Sequence, residues 1–253
     1  MQTPDTVTAP SPVSSASRRR SVFFLAASVL MTLIVFLGFL PSFYFRPQFR
    51  STSLPAHLIV HGIIMTLWQL LFLAQTTLVA ANRTDLHRRL GLAGAGLAVA
   101  VVVVGVYATL LQPAVYAAKG IELPFPLEDL VVPNLFGFAI FAGLVAAAIY
   151  FRRDAASHKR LIFWAFVVTM GPAITPFRSL GEIIVPFFPA TFPPEIALVW
   201  IAWIALLVHD WTTVRRFHPA TISGGMVILF IGPALVDWVL LIDAVGEWVR
   251  SLA

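Results

Sequence analysis

Six histidines and no cysteine set the chemistry this chain can offer. His57 and His61 form an HxxxH pair, four residues apart and therefore on one face of a helix. At 100° per residue Trp68 and Gln75 fall on nearly the same line, so a semi-polar stripe runs about 27 Å from His57 to Gln75. Polar side chains inside an apolar segment face a bundle interior, a cavity or a cofactor. Two close imidazoles suit Zn, Cu or Fe, although a site needs further ligands. Three readings stand side by side: hydrogen bonds to neighbouring helices, ligation of a haem or divalent metal, or a path for protons or a small solute.

A second group comprises His87, His158 and the His209-Asp210 pair, each histidine with an acid nearby (Asp85, Asp154, Asp210). An adjacent carboxylate fixes the tautomer of a ligating ring. Alternatively the basic runs face headgroups, and Asp85 and Asp154 cap the helices that follow them. His57, His61, His87, His158 and His209 are thus the candidate metal or haem ligands. His218, followed by Pro219, reads as loop surface. Arg178 is either an interface residue paired with Glu182 or an outer anchor for an anion or carboxylate. Asp237 falls in the middle of the last apolar segment, where a carboxylate must be neutral, paired or beside water. The absence of cysteine excludes disulfides, thiolate metal sites and covalently attached c-type haem.

The elements that position these residues follow from composition. Only 11% of the 253 residues are charged and 59% are hydrophobic, with a mean hydropathy of +0.88; a soluble domain is about a quarter charged. Seven apolar stretches alternate with short connections: 21–44, 54–80, 90–111, 131–151, 158–177, 195–213 and 225–248. Of 17 Lys and Arg, 12 sit in alternate connections: Arg18, Arg19 and Arg20; Arg83, Arg88 and Arg89; Arg152, Arg153, Lys159 and Arg160; Arg215 and Arg216. That alternation predicts an all-α polytopic bundle of seven spans, N-terminus cytoplasmic and C-terminus external. Residues 1–20 form a Ser/Thr/Pro/Ala-rich tail ending in three arginines, and 21–253 one membrane domain. The connection 112–130, with Glu122, Glu128 and Asp129, is external. Pro172 and Pro176 kink the outer half of span five. Residues 183–194 carry too many prolines for a regular span. Gly91, Gly94, Gly96 and Gly105 permit close packing in span three. The net charge of +5 belongs to headgroup contacts rather than to nucleic acid.

The hairpins TDLHRRLG and DAASHKRL share a pattern: an acid, a histidine, two basic residues and a leucine. From HLIVHGIIMTLWQLLFLAQTTLVAANRTDLHRRLG through DAASHKRLIFWAF, the chain resembles an uncharacterised bacterial family of predicted multi-pass membrane proteins. The matching positions are His61, His87, Arg88, Leu90, Gly91, Asp154, His158, Arg160 and Arg178. The resemblance implies a multi-helix inner-membrane fold and no particular activity. A fainter likeness to b561-type cytochromes extends to histidines on several spans. A b-type haem needs two axial side chains at matching depth on different helices, and His57 and His61 have no such partner. The expected protein is an inner-membrane carrier, channel or scaffold with a His-lined stripe, partnered by lipid and open to homo-oligomerisation. The alternatives are a haem or metal protein of electron transfer or oxidase assembly, and an intramembrane metal-dependent hydrolase.

Overall fold

In the computed structural model, residues 15–175 and 194–253 are described, with side chains at 22–175 and 195–253. Every described element is helical. The long helices are α1 (Ser15–Phe39), α3 (Ala56–Ala80), α4 (Thr84–Lys119), α5 (Glu128–Tyr150) and α8 (Pro194–Val214). Shorter ones are α2 (Arg46–Phe49), α6 (Ala155–Val168), α7 (Gly171–Ile174), α9 (Pro219–Met226), α10 (Gly232–Leu240) and α11 (Asp243–Arg250). π-helical segments at Leu40–Tyr44 and Val227–Ile231 extend α1 and join α9 to α10. Pro41 and Pro233, which cannot donate to a helical carbonyl, lie in or just after these segments.

Six of the resulting rods are long and apolar enough to cross a membrane: Val22–Tyr44, Ala56–Ala80, Thr84–Lys119, Glu128–Tyr150, Glu195–Val214 and Pro219–Leu240. Their exposed faces carry Leu30, Leu33, Val99, Val103, Ile201, Ile204 and Trp238, a surface that only lipid can solvate. This is a multi-pass membrane protein. The helix of the expected fifth span is interrupted in its outer half, where the sequence places Pro172: α6 stops at Val168 and α7 restarts at Gly171, one residue before that proline. The pair still bridges both ends of the bundle. Ala155 begins α6 beside the end of α5, while Ala173 of α7 lies against Gly38 of α1, where a Cβ would come within 1.9 Å of the Ala173 carbonyl oxygen. Arg178, Glu182 and residues 183–193 lie outside the described residues.

Two boundaries move in ways that affect function. Helix α4 does not end at Leu111; it runs through a buried Pro113 to Lys119, because neighbouring helices in a bundle tolerate the lost backbone hydrogen bond. At 36 residues it is about 54 Å long. The last span starts at Pro219, capped by His218, and stops at Leu240 rather than Trp248. Asp237 therefore sits about 4.5 Å from the end of its span. Its side chain is exposed on α10 and makes no hydrogen bond or ion pair with any described residue. It lies on an exposed face one turn from the end of the apolar helix rather than in its middle. Beyond it, α11 is a separate amphipathic helix whose Arg250 contacts Glu128 at 3.4 Å.

Helix α6 is the centre of the bundle, with Leu161, Phe163, Trp164, Ala165, Phe166 and Val167 all buried. Arg160, expected in a basic connection, is buried too, at 2% exposure. Its guanidinium forms an ion pair with Asp210, donates to the Ala156 carbonyl at 2.7 Å, and lies 3.2 Å from the Thr221 hydroxyl. The other Asp210 oxygen accepts from the Thr221 hydroxyl at 2.6 Å and the His218 N–H at 3.0 Å. Three helices, α6, α8 and α9, are thereby tied at one point. Trp164 adds a bond from its indole N–H to the Ala220 carbonyl at 3.1 Å.

Candidate functional site

The stripe on α3 is real as a face. His57, His61 and Gln75 are half-buried and Trp68 is 3% exposed, all four within about 40° around the axis. Three of them carry a buried polar atom without a hydrogen-bond partner among the described residues: His57 Nε2, Trp68 Nε1 and Gln75 Oε1. Buried polar groups are normally paired, and each orphan costs about 1–3 kcal/mol. The rest of the helix behaves differently. Gln69 donates to the Thr32 hydroxyl at 3.2 Å, Thr76 shares a hydrogen bond with Ser28 at 2.7 Å, and Thr66 with Tyr44 at 2.9 Å. Those polar groups weld α3 to α1, whereas the stripe turns toward α4, α5 and α6.

His61 opens onto a cavity of about 330 Å³ between these helices. Its polar lining is His61, Thr109, Gln112, Asn134 and Thr169, and its apolar walls include Met65, Phe138 and Leu130. Phe138 meets the His61 ring edge-on at 6.4 Å. Its own ring lies over Gly105, where any Cβ would come within 2.1 Å of it, so the aromatic wall needs glycine there. Among the described residues the lining contains no charged side chain.

Below the cavity an aromatic septum closes the stripe. Trp68 stacks on Phe166 at 4.6 Å, Phe72 stacks on the same ring at 3.9 Å, and Phe141 packs edge-on against Trp68 at 5.0 Å. All four are at most 3% exposed. On the far side of the septum the stripe ends at Gln75, whose amide lies 3.8 Å from the ideal Cβ position at Gly91, one turn along α4 from His87.

There the two similar hairpins meet. The rings of His87 and His158 pack edge-to-face at 6.2 Å. His158 Nδ1 lies 2.9 Å from the Ala148 carbonyl, which places the proton on Nδ1 and leaves Nε2 as the acceptor. His87 Nδ1 is buried without a hydrogen-bond partner among the described residues. The acids do not hold these rings. Asp154 caps α6, accepting from the Ala156 N–H at 3.0 Å and from Ser157, and those two hydrogen bonds, the Ser157 hydroxyl foremost, keep its carboxyl below the usual range. Asp85 caps nothing and pairs with Arg83 at 3.7 Å on the surface.

The expected inner trio is thus a pair. His209 belongs to a different packing unit, its ring stacked on Phe23 at 4.2 Å and edge-on to Phe24 at 5.5 Å. Asp237 is separated from the stripe, on an exposed face of α10. Among the described residues no group of three or more His, Asp or Glu is arranged to hold a metal ion. The sequence reading missed Thr109, Gln112, Asn134 and Thr169 as wall residues. The available signal was polarity within apolar segments, and Gln112 falls in the expected connection 112–130. A scan of protein-family models, a search of curated proteins and a search of solved structures find no match to this chain.

Proposed function

We propose that this protein is a non-enzymatic inner-membrane carrier whose α3 stripe handles protons or a small polar solute. The observation that carries the reading is the column of unpartnered buried polar atoms, His57 Nε2, Trp68 Nε1 and Gln75 Oε1, running from the cavity side of the septum to the His87–His158 pair. Orphans along one line are what a transported species would satisfy in passing. The septum of Trp68, Phe72, Phe141 and Phe166 is the barrier between the His61 cavity and the His87–His158 pair. The threading is seven crossings, the fifth made by α6 and α7, with the Arg-rich ends of α4 and α6 cytoplasmic. Support for it comes from the spread of α6 and α7 between the His158 end and Gly38.

Purified protein in proteoliposomes carrying a pH-sensitive dye tests the reading. Wild type should dissipate an imposed proton gradient; His61→Gln should abolish this while melting within about 1 kcal/mol of wild type, and His87→Gln should do less. A His61→Gln variant that conducts normally, or that chiefly loses stability, ends the carrier reading. For threading, single cysteines at Thr84 and Ala155 should resist an impermeant maleimide in intact cells, and one at Ala118 should label.

A second reading, a bound haem or divalent metal, has one observation in its favour: two imidazoles from different helices whose rings meet. Such a group would supply redox or Lewis-acid chemistry at the inner end. A Soret band or stoichiometric metal in purified protein, lost in His158→Gln, would establish it.

A further inference from the structure

We infer that the cavity beside His61 binds a small, neutral molecule rich in N–H or O–H donors, and rejects anions. This deepens the carrier reading by naming the class of solute, and it rests on that reading only in taking the cavity as a binding site. The argument is a donor and acceptor inventory of the wall. The Thr109 hydroxyl donates to the Gly105 carbonyl at 2.9 Å and the Thr169 hydroxyl to the Phe166 carbonyl at 2.9 Å. A hydroxyl has one proton, so both now present only lone pairs. Asn134 donates through Nδ2 to the Leu130 carbonyl at 2.7 Å, which fixes the orientation of its amide and leaves Oδ1 to accept. Gln112 donates through Nε2 to the Tyr116 hydroxyl at 3.2 Å, and its Oε1 is buried without a partner among the described residues.

The backbone adds to the same side. Thr109 and Val168, both on the wall, stand four residues before Pro113 and Pro172. Proline has no N–H, so neither carbonyl receives its helical donor. Against these acceptors the wall sets one N–H of a neutral His61 and the second N–H of each amide. Acceptors outnumber donors. A carboxylate or phosphate, which brings only acceptors, would meet lone pairs with no cation among the described wall residues to offset them. A fully charged cation would meet no counter-charge among the same described residues. A neutral donor-rich solute satisfies the oxygens, and Met65, Leu130 and Phe138 receive its apolar part.

The test uses the full chain in detergent and methyl signals in ligand-observed saturation-transfer NMR. The probes are N-methylurea, tetramethylurea and acetate, which share methyl groups and differ in donors. N-methylurea should show saturation that weakens about tenfold in affinity in Gln112→Met, the equivalent of losing one or two hydrogen bonds. Asn134→Leu should do the same if it melts like wild type, and Gln112→Met serves alone if it does not. Tetramethylurea and acetate should show only micelle partitioning, unchanged by either variant. Equal saturation of tetramethylurea or acetate, or an N-methylurea signal that is absent or indifferent to Gln112→Met, overturns the inference. Because binding is read without flux, a protein that binds N-methylurea as described yet conducts nothing refutes the carrier reading alone.

Discussion

The Arg160–Asp210 centre and the cavity beside His61 both place polar groups among apolar helices, and they are built on opposite principles. At the first, every strong group is answered: the guanidinium by a carboxylate and a carbonyl, the carboxylate by a hydroxyl and a backbone N–H as well. At the second, the oxygens outnumber the protons available to them, and Gln112 Oε1 has no partner. A closed network in a low dielectric contributes rigidity and specificity, because removing any member leaves another charged and alone. An open one is less stable than an apolar core of the same shape would be, and it persists where something else completes it. The difference separates what holds α6, α8 and α9 together from what the bundle is arranged to meet.

The closed network gives the largest expected effect. Arg160→Leu should destabilise by about 3–5 kcal/mol, because it leaves Asp210 buried without its cation. The Arg160→Leu, Asp210→Leu double variant should recover most of that loss, since no charge then remains uncompensated. Thermal melting in one detergent, arranged as a double-mutant cycle, measures both. A single variant that melts like wild type would mean that water reaches Asp210, and the contrast with the cavity would disappear.

The two regions were unequally legible in the sequence. The long apolar rods and the basic hairpins follow from composition alone, since burial in lipid leaves few choices. The Arg160–Asp210 pair joins residues 50 positions apart, and nothing in HKR distinguishes an inward arginine from a headgroup contact. His158 and Arg160 differ by about 200° around α6, so the outward-looking run splits between the histidine pair and the ion pair. One edge of the cavity is legible in the HxxxH pattern, whereas Gln112 falls in the expected connection 112–130. The last span begins at Pro219, six residues before the expected Gly225. Proline at the first helical position after a capping residue was the better signal, present at His218-Pro219.

Filling the open site should have the reverse sign from breaking the closed one. Gly137 lines the cavity, and a Cβ there meets nothing within 4 Å. Replacing a helical glycine by alanine gains about 0.5–1 kcal/mol from chain entropy and propensity. Gly137→Ala should therefore melt higher than wild type, and Gly137→Leu should keep that stability while abolishing N-methylurea binding and proton flux. Lower stability in Gly137→Ala would show that the space is not free and would weaken the case for a site kept open at the expense of stability.

The smallest effect belongs to His218, at the margin of the closed network. Its Nδ1 accepts the Ala220 N–H at 3.2 Å as the cap of α9. Burial, helped by the Arg160 charge, lowers its pKa below the ordinary histidine value against the opposing pull of Asp210 and Asp154. The unfolded chain then takes up its proton at a higher pH than the folded one. The contribution of this residue is complete above about pH 6.5 and is lost as the pH falls through and below that value. Wild-type melting should decline over that window by an amount corresponding to no more than about 1 kcal/mol, the worth of one cap. His218→Asn keeps a capping side chain with no titrating ring, so its melting curve against pH should be flatter than wild type below pH of about 6.5. An identical decline in the variant would assign the acid sensitivity to another group, and a variant unstable at every pH would mean that the ring is held by packing rather than by its role as a cap.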